Sequence, residues 1–401
     1  MRLLLVHNKY LKPGGEDIVV NLEKQLLESN GVQVELFSGS NDQIDVNGLS
    51  GKIKAGANTL WSRHYYRKIA AAIDAFKPDL IHVHNTFPLM SPSIYWAASS
   101  LGVPVVQTLH NYRLTCTNGL LLRDNHPCEL CVGRPPLPAL RYRCYRDSRS
   151  ATAVVAGLQV MHRLISTYAE KIDHFIALTQ FARSVFLRAG LPASRIGVKP
   201  NFIPDPLQGK PPLPPNEREN TVVFVGRVAF EKGVDLLLDA WPMTRQAGWK
   251  LIVIGDGPDK DALAAQSGSL PDVVWRGWLD RQEVLNVMAR ARYLVMPSRW
   301  YEGFPMVLLE ALACGTPVLA PRHGGFPEII RDRINGMLFE PNSSQAVAAA
   351  LAQAIHADAG HWTAMSRSAR QHYQEKYSPD VGYANLIHIY NSVSRTASID
   401  Q

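Results

Sequence analysis

Short runs of β-branched and aliphatic residues alternate with amphipathic helical stretches from one end of the chain to the other. Most of these runs are bounded by Gly, Pro or Asp, and the alternation is typical of parallel sheets covered by helices on both faces. The sequence therefore predicts an α/β fold. A first half has strands over residues 3–8, 33–38, 79–85, 104–111 and 174–179; a second half has strands over 221–226, 250–255, 272–277, 293–298 and 316–321, with helices at 233–241, 283–291 and 306–314.

A proline-rich segment separates the two halves. Residues 199–215 read KPNFIPDPLQGKPPLPP, and such a segment propagates neither a helix nor an inner strand. The length of 401 residues also predicts two or three domains at about 150 residues each. We therefore expect one domain over residues 1–205, a second over 206–376, and a terminal helix over 377–401 that packs back on the first domain.

The composition predicts a soluble cytoplasmic protein. Hydrophobic residues make up 46% of the chain and charged residues 19%, as in ordinary globular proteins. The apolar run before His7 is too short for the core of a signal peptide. Nor does any stretch approach the roughly 20 apolar residues that a spanning helix needs.

Positive charge is concentrated in the first half of the chain. Residues 51–200 hold 19 Lys and Arg against 7 Asp and Glu, whereas the whole chain has a net charge of +7. This excess suits the inner face of an anionic membrane or an anionic lipid-linked substrate, with simple solubility as the alternative. No recognisable nucleic-acid module accompanies it, so no nucleic-acid partner is expected.

The segment SRWYEGFPMVLLEALACGTPVLAP (298–321) carries the most specific pattern. It follows a predicted strand and opens a helix at Gly303, Phe304 and Pro305, so that backbone N–H groups at the helix start can face an anion. Glu302 lies on the loop before the helix and Glu310 about two turns into it. Two carboxylates in these positions can accept hydrogen bonds from the hydroxyls of one ligand. For Glu310, a solvated helix face is the alternative.

Two cations occupy the loop after the first strand of the second half, in FVGRVAFEKG (224–233). The guanidinium of Arg227 can donate two hydrogen bonds to phosphate oxygens, and Lys232 adds the charge of an ammonium group. Together they can neutralise a departing diphosphate without a metal. A surface ion pair with Glu231 is the alternative for Lys232.

These motifs resemble those of family-4 glycosyltransferases, whose fold, GT-B, has two Rossmann-like domains facing a central cleft. The resemblance is carried by Gly14-Gly15-Glu16, the strand ends IHVHN and TLHN, GRVAFEKG, GDGP, and the pair Glu302 and Glu310. It implies retaining, metal-independent transfer from a nucleotide diphosphate sugar of the UDP or GDP type. It also implies that Arg227 and Lys232 hold the diphosphate, Glu310 the ribose and Glu302 the donor sugar.

The first half contributes three further candidates. Gly14 and Gly15 follow the first strand, where a missing Cβ lets the backbone approach a bulky ligand; the resemblance places them near the donor phosphate and sugar. His110 ends a predicted strand and is implied to contact the donor sugar, with a buried structural histidine as the alternative. His82 and His84 share one sheet face, which suits a structural role on the acceptor side.

Four of the five cysteines lie within 29 residues, in the pattern C-x11-C-x2-C-x12-C formed by Cys116, Cys128, Cys131 and Cys144. In a cytosolic protein this pattern favours a structural zinc that orders the loop 112–148. Free thiols, a disulfide and an iron–sulfur cluster are the alternatives. No cofactor is expected for catalysis itself.

The same loop carries five arginines and has apolar residues as possible companions. This combination suits binding to a lipid diphosphate or to an anionic bilayer, and simple solvation of the charges is the alternative. The arginines are Arg134, Arg141, Arg143, Arg146 and Arg149, and the apolar residues are Trp96, Leu137 and Leu140.

These observations predict a glycosyltransferase that moves a sugar to a hydroxyl of a lipid-linked or growing surface glycan. No carboxylate of the first domain stands out as a nucleophile, which favours departure of the leaving group and attack on the same face of the sugar. A phosphorylase or an inverting enzyme of the same fold is a second interpretation. A noncatalytic nucleotide-sugar-binding subunit of a glycan assembly complex is the alternative outside enzymes.

Overall fold

The computed structural model describes residues 1–9, 14–40, 48–244 and 247–399. Its contacts group the chain into two compact units. Unit 1 comprises Met1–Leu121, Cys128–Asn201 and Gly382–Gln401, and unit 2 comprises Leu122–Pro127 and Phe202–Val381. The sequence places the domain boundary after residue 205, close to Asn201 where the second segment of unit 1 ends.

The strands, in chain order, are β1 (Arg2–Lys9), β2 (Gln33–Ser40), β3 (Leu80–Asn85), β4 (Val105–Leu109), β5 (Leu122–Arg123), β6 (His126–Pro127), β7 (His174–Ala177), β8 (Ile196–Val198), β9 (Glu219–Val225), β10 (Lys250–Ile254), β11 (Val273–Gly277), β12 (Ala291–Val295), β13 (Val318–Pro321) and β14 (Gly336–Phe339). The helices are α1 (Gly15–Ser29), α2 (Gly48–Leu60), α3 (Arg63–Phe76), α4 (Ser93–Ser100), α5 (Leu137–Arg141), α6 (Arg149–Leu164), α7 (Thr167–Glu170), α8 (Gln180–Arg188), α9 (Val234–Thr244), α10 (Lys260–Gln266), α11 (Arg281–Arg290), α12 (Met306–Ala313), α13 (Phe326–Ile329), α14 (Ser344–Ile355), α15 (Ala359–Lys376) and α16 (Pro379–Ile399).

Unit 1 is built on a six-stranded parallel sheet in the order β2-β1-β3-β4-β7-β8. The central strand β1 is buried from Leu3 to Asn8, as expected for a continuous apolar run covered on both faces. Helix α16 supplies Leu386 and Tyr390 to the core that contains Leu3 and Leu80. The described part of the terminal helix therefore belongs to the core of unit 1.

Unit 2 is built on a second parallel sheet, in the order β11-β10-β9-β12-β13-β14. Counted from its first strand this order is 3-2-1-4-5-6, which is the order of dinucleotide-binding Rossmann folds. Its core packs α9 and α14 against the sheet, with Trp241 and Trp362 among the largest fully buried side chains. The two six-stranded parallel sheets confirm the predicted α/β class.

Ten of the fourteen strands in the described residues match the predicted ones, with ends that differ by at most three residues. Strands β8 and β14 were not predicted because they have only three and four residues, and each contains a glycine that interrupts the apolar pattern. The short hairpin of β5 and β6 was also missed. Residues 199–214 form neither helix nor strand, as predicted for the proline-rich segment. In the described parts of the chain, no helix combines the length and apolarity required to cross a bilayer.

Candidate active site

The candidate donor site lies in unit 2 where the strand order reverses, between β9 and β12. Ligands of open parallel sheets bind outside the carboxyl ends of the strands at such a point. Arg227 follows β9, and Ser298 and Glu302 follow β12. The fold therefore brings to this edge two segments that are about 70 residues apart in the sequence.

Glycines hold the loops at this edge close together. Gly233 has φ +70°, and a Cβ there would lie 2.1 Å from the carbonyl oxygen of Pro297. Gly255 has φ +138°, and a Cβ there would lie 1.8 Å from the carbonyl oxygen of Gly226. No other residue type fits without displacing backbone. The GDGP turn, a weak signal on its own, is thus required by the contact between the loops after β9 and β10.

Lys232 is bound to Glu302. Its Nζ donates to Glu302 Oε1 at 2.6 Å, and the Ser298 hydroxyl donates to the same oxygen at 2.8 Å. Glu302 is buried, and Lys232 also lies 5.4 Å from the centre of the Trp300 ring. The predicted diphosphate cation and the predicted sugar-binding carboxylate are therefore in direct contact.

Arg227 occupies the solvent side of the same loop. Its side chain is 65% exposed and lies 3.8 Å from Glu231. The alternative that paired Lys232 with Glu231 is wrong, because Glu231 faces Arg227 whereas Lys232 reaches across to Glu302. An exposed guanidinium on this loop has room to approach an incoming anion.

Glu310 lies on α12 and is mostly buried, facing Arg281 Nε at 3.3 Å. The alternative of a solvated helix face is therefore wrong. Burial raises the pKa of Glu310 above that of an ordinary glutamate, and Arg281 opposes this only in part. A mostly buried carboxylate with one partly exposed ion-pair partner can accept hydrogen bonds from ligand hydroxyls.

The start of α12 has no side-chain cap, because the residue in the capping position is Pro305. Gly303 and Phe304 precede it, and all three residues are partly exposed. Phe304 packs edge-on against Tyr377 at 6.1 Å. Uncapped N–H groups at the start of an eight-residue helix suit a ligand with negative charge.

Sequence reasoning missed the residues that support this site. Arg299 donates two hydrogen bonds to Asp235, at 2.5 and 2.6 Å, and fixes the loop after β12 to α9. Ser298 and Arg281 were missed as the partners of the two glutamates. Ser298 could have been found from its position at a strand end, but nothing in the sequence connects Arg281 to Glu310 or Arg299 to Asp235.

In unit 1, Gly14 precedes α1, and its N–H donates to Asp17 Oδ2 at 2.8 Å. Its φ is −129°, and a Cβ there would meet nothing within 4 Å. Among the described residues, therefore, nothing requires glycine at this position. Gly15 is the first residue of α1, and the preceding loop residues 10–13 lie outside the described residues.

A buried polar cluster occupies the same edge of unit 1. His110 follows β4 directly, and its Nε2 lies 2.8 Å from Nδ1 of His84. His84 Nε2 lies 3.4 Å from Glu23, which forms a fully buried ion pair with Lys199. Sequence reasoning named the histidines but missed Glu23 and Lys199, which are 176 residues apart.

The four clustered cysteines are partly exposed, and within the described residues no disulfide joins them. Burial raises the pKa of Cys131, and its electrostatic neighbours include Cys116 and Cys128. Cys144 joins the same region through its N–H, which donates to the carbonyl of Ala139 at 3.1 Å. Across residues 1–9, 14–40, 48–244 and 247–399, no three of these sulfurs lie within 4.8 Å of one another. The zinc site stays a prediction.

An exposed basic and apolar surface lies on α5 and α6. Leu137 is 68% exposed and Leu164 is 78% exposed, and Arg163 of α6 donates to the carbonyl of Arg134 beside α5. The five arginines named from the sequence are all exposed. Trp96 does not belong to this surface, because it is mostly buried and its indole N–H donates to Thr167.

Comparison with known proteins agrees with this architecture. Residues 13–205 match the model of Glycosyltransferase Family 4, and residues 208–372 match that of Glycosyl transferases group 1. The lipopolysaccharide 1,6-galactosyltransferase of Escherichia coli K12 is 33% identical over 195 residues, which cover 45% of this chain and 52% of that protein. The 2-deoxystreptamine glucosyltransferase of Streptomyces kanamyceticus is 28% identical over 296 residues, which cover 71% and 70%.

A solved structure extends the likeness to the whole fold. HepE of Anabaena, crystallised with UDP and glucose, has a TM-score of 0.65 at 19% identity over 99% of both chains. Several curated relatives match this chain over only about half of their own length. The two family models nevertheless span nearly all of residues 13–372. The chain therefore belongs to glycosyltransferase family 4 and has the GT-B fold.

Proposed function

We propose that this protein transfers a sugar, with retention of configuration, from a nucleotide diphosphate donor to a hydroxyl acceptor in glycan synthesis. The contact between Lys232 and Glu302 at the reversal point of the second sheet carries this proposal. It joins a cation suited to a diphosphate and a carboxylate suited to sugar hydroxyls within one site. The Anabaena relative crystallised with UDP and glucose supports a nucleotide sugar as the donor.

Each donor-site residue has a distinct role in this proposal. Lys232 and Arg227 neutralise charge that develops on the leaving diphosphate, which is electrostatic stabilisation without a metal. The uncapped start of α12 after Gly303, Phe304 and Pro305 adds backbone N–H groups that face the same charge.

The two carboxylates bind hydroxyls. Glu302 is held by Lys232 and Ser298 and accepts from the transferred sugar. Glu310 accepts from the ribose, because its carboxylate is mostly buried and, among the described residues, pairs with Arg281 alone. Together they fix the donor at both ends of the diphosphate.

Within the proposed retention, the carboxylates of unit 1 favour departure and attack on the same face of the sugar over a covalent intermediate. A covalent intermediate would need an unengaged carboxylate at the sheet edge. Of the described carboxylates near that edge, Glu23 is buried against Lys199, and Asp17 accepts from Gly14 and pairs with His7. In the proposed step the acceptor oxygen bonds to the anomeric carbon while the bond to the diphosphate breaks, and the acceptor proton passes to a leaving phosphate oxygen.

The acceptor in this proposal is a lipid-linked or surface glycan reached at an anionic membrane. We define the basic face as Arg134, Leu137, Arg141, Arg163 and Leu164. Its exposed leucines bury apolar area in the acyl boundary while its arginines attract acidic headgroups. The lipopolysaccharide galactosyltransferase relative is consistent with such an acceptor.

The proposal includes a structural zinc bound by Cys116, Cys128, Cys131 and Cys144. Thiolates are soft ligands that suit a closed tetrahedral site, and three of these cysteines already interact electrostatically. Zinc would order the long loop that precedes α6 and contribute no step to transfer.

A donor panel with product analysis tests the proposal. Purified protein is incubated with UDP and GDP sugars and a lipid-linked acceptor, and the anomeric configuration of the product is read by NMR. The donor configuration is expected in the product. An inverted product would refute retention, and donor binding without transfer to acceptors of this class would favour the noncatalytic subunit.

A further inference from the structure

We propose that the exposed start of α3 binds the diphosphate group of a lipid-linked acceptor. The side chains that would contact the diphosphate are Arg63, His64, Arg67 and Lys68, and we call the surface they form the α3 groove. The inference rests on the proposed glycosyl transfer for the identity of the acceptor, whereas binding of a diphosphate by the free protein does not depend on transfer.

The α3 groove is an open depression in the surface of unit 1, with a volume of about 520 Å³. Its lining among the described residues consists of the four basic side chains and Ala71, and all five residues are exposed. Small-molecule sites have volumes of about 300–1,000 Å³. The groove is therefore large enough for a diphosphate and the groups attached to it.

The positive charge of the α3 groove is not balanced by acidic side chains of the same region. From residue 48 to residue 73 the chain contains no Asp or Glu. Within the described residues, the only ion pair on α3 is that of Asp74 with Lys77, at the other end of the helix. Lys68 lies 5.7 Å from the centre of the Tyr65 ring, a contact that leaves its charge uncompensated. The groove therefore carries positive charge that a bound anion would neutralise.

This charge weakens the helix that carries it. Arg63 is the first residue of α3, where the positive end of the helix dipole disfavours a cation, and the first turn contains no acidic residue. Arg67 lies four residues after Arg63, and like charges at this spacing destabilise a helix. Cations that oppose local stability and have no acidic partner among the described residues indicate a role in binding rather than in folding.

The α3 groove lies toward the carboxyl edge of the sheet of unit 1. Helix α3 ends at Phe76 and leads directly into β3, so its start lies toward the carboxyl end of that strand. Ser62 fixes this start, because its N–H donates to the Ser91 hydroxyl at 2.9 Å and its carbonyl accepts from the Ser93 hydroxyl at 3.0 Å. Both partners follow the carboxyl end of β3. Ligands of open parallel sheets bind at this edge, where His110 also lies.

A diphosphate matches the hydrogen-bond donors of the α3 groove. The guanidinium groups of Arg63 and Arg67 can each donate two hydrogen bonds to phosphate oxygens, and Lys68 adds the charge of an ammonium group. His64 adds a ring nitrogen that can donate a hydrogen bond. These groups can bind the oxygens of two adjacent phosphates, which together carry more negative charge than a single phosphodiester.

A bilayer surface fits the α3 groove less well than a diphosphate does. Peripheral membrane surfaces combine cations with large apolar side chains that enter the acyl boundary, and the described lining of the groove has only Ala71. The basic face, by contrast, exposes Leu137 and Leu164. The two surfaces therefore suit two different partners, the diphosphate of the acceptor and the bilayer that carries it.

Titration calorimetry with inorganic pyrophosphate tests the α3 groove without an acceptor. The parent protein is Arg227→Gln/Lys232→Met, so that the cations of the donor site in unit 2 do not contribute. We expect Arg67→Gln in this parent to weaken pyrophosphate binding about tenfold, as for the loss of charged hydrogen bonds. Lys77→Gln is the matched control, because it removes one exposed positive charge at the other end of α3. No pyrophosphate binding by the parent, or equal affinity in Arg67→Gln and Lys77→Gln, overturns the proposal.

Thermal unfolding separates binding from a structural role. Arg67→Gln should leave Tm unchanged or raise it, because the substitution removes a repulsion with Arg63 in the first turns of α3. A lowered Tm in Arg67→Gln would show that Arg67 supports the fold, and would contradict the proposal.

Acceptors with and without a diphosphate identify the occupant of the groove. In detergent that contains no anionic lipid, Arg67→Gln should raise KM for a lipid diphosphate acceptor about tenfold and leave kcat unchanged. KM for an alkyl glycoside without phosphate should not change. Loss of binding to phosphatidylglycerol vesicles with an unchanged acceptor KM would mean that the groove binds a headgroup, and would overturn the proposal. If the protein shows no transfer but binds pyrophosphate through Arg67, the proposed function is wrong and the diphosphate site is supported.

Discussion

Lys232 Nζ lies 2.6 Å from Glu302 Oε1, and the hydroxyl of Ser298 donates to the same oxygen. This contact orients both side chains before any donor binds, because a charge-assisted hydrogen bond restricts a flexible lysine to one direction. Preorganised charge at a reaction centre lowers the barrier without a cost of rearrangement at the moment of reaction. The pair is therefore the part of the donor site where substitution should affect the chemical step most.

Replacing Lys232 by methionine should lower kcat about 100-fold or more, since it removes a cation from the leaving diphosphate while keeping an unbranched side chain only one atom shorter. Steady-state kinetics with a saturating donor measure this. Lys210→Met, at an exposed lysine of the same unit, is the control and should keep normal turnover. Similar kcat values for both variants would contradict a role of Lys232 in the transfer step.

Glu310→Gln should weaken binding of the bare nucleoside diphosphate about tenfold, as expected for loss of a charged hydrogen-bond acceptor. Titration calorimetry measures the affinity. Glu219→Gln is the matched control, because Glu219 also faces an arginine Nε but lies at the surface. An unchanged affinity in Glu310→Gln argues against the ribose contact.

The same carboxylate predicts a pH dependence. Because burial raises the pKa of Glu310, acidification protonates it earlier than an ordinary glutamate. Nucleotide affinity should therefore be highest above this raised pKa and fall as the pH drops through it. Glu310→Gln should remove this pH dependence of the affinity. If the variant keeps the full pH dependence, a group other than Glu310 is responsible for it.

Glu23→Ala should lower the free energy of unfolding by about 3–5 kcal/mol, because it removes the carboxylate that balances the charge of the fully buried Lys199. The pKa of Glu23 is lowered in the folded protein, so its contribution is present above the unfolded pKa and is lost as the pH falls through the folded one. Denaturant titration measures both effects. Glu28→Ala, which breaks the exposed pair with Lys24, should cost at most about 0.5 kcal/mol. Comparable losses in the two variants would contradict the buried ion pair.

Protein purified under reducing conditions should contain about one zinc per chain, as a closed site with four thiolate ligands requires. Elemental analysis should show the loss of this zinc in Cys131→Ser and its retention in Cys314→Ser, which alters the buried cysteine outside the loop. Metal-free protein, or zinc that is retained in Cys131→Ser, would contradict the proposed zinc site.

The protein should sediment with vesicles that contain phosphatidylglycerol and should be released by salt, because the basic face combines arginines with exposed leucines. Leu164→Asp should abolish this binding. Met243→Asp is the control, since Met243 is an exposed apolar residue of unit 2. Binding that persists in Leu164→Asp would exclude the basic face as the contact.

The sequence predicts those parts of the fold that repeat a local pattern. Apolar runs such as β1 and β9 identify buried parallel strands, and the segment from Glu302 to Glu310 identifies the loop after β12 and the helix α12. Strands β8 and β14 were not predicted, because three or four residues are too few to show an alternation of apolar and polar side chains.

Ion-pair partners that lie on different helices and loops could not be predicted either. The ion pair of Glu23 with Lys199 joins α1 to the segment after β8, and that of Glu310 with Arg281 joins α12 to α11; no local pattern encodes which elements become neighbours. The sequence thus allowed candidate ligand contacts to be named, which stay predictions, but not the side chains that hold those candidates in place.

The central claim is metal-independent transfer from a nucleotide diphosphate sugar at the site of Lys232 and Glu302. Its most direct test is release of nucleoside diphosphate, measured with UDP and GDP sugars and a lipid-linked acceptor in the presence of EDTA. We predict acceptor-dependent release with one donor, reduced about 100-fold or more in Lys232→Met. Release that requires an added divalent cation, or that is equal in the variant, would contradict the claim.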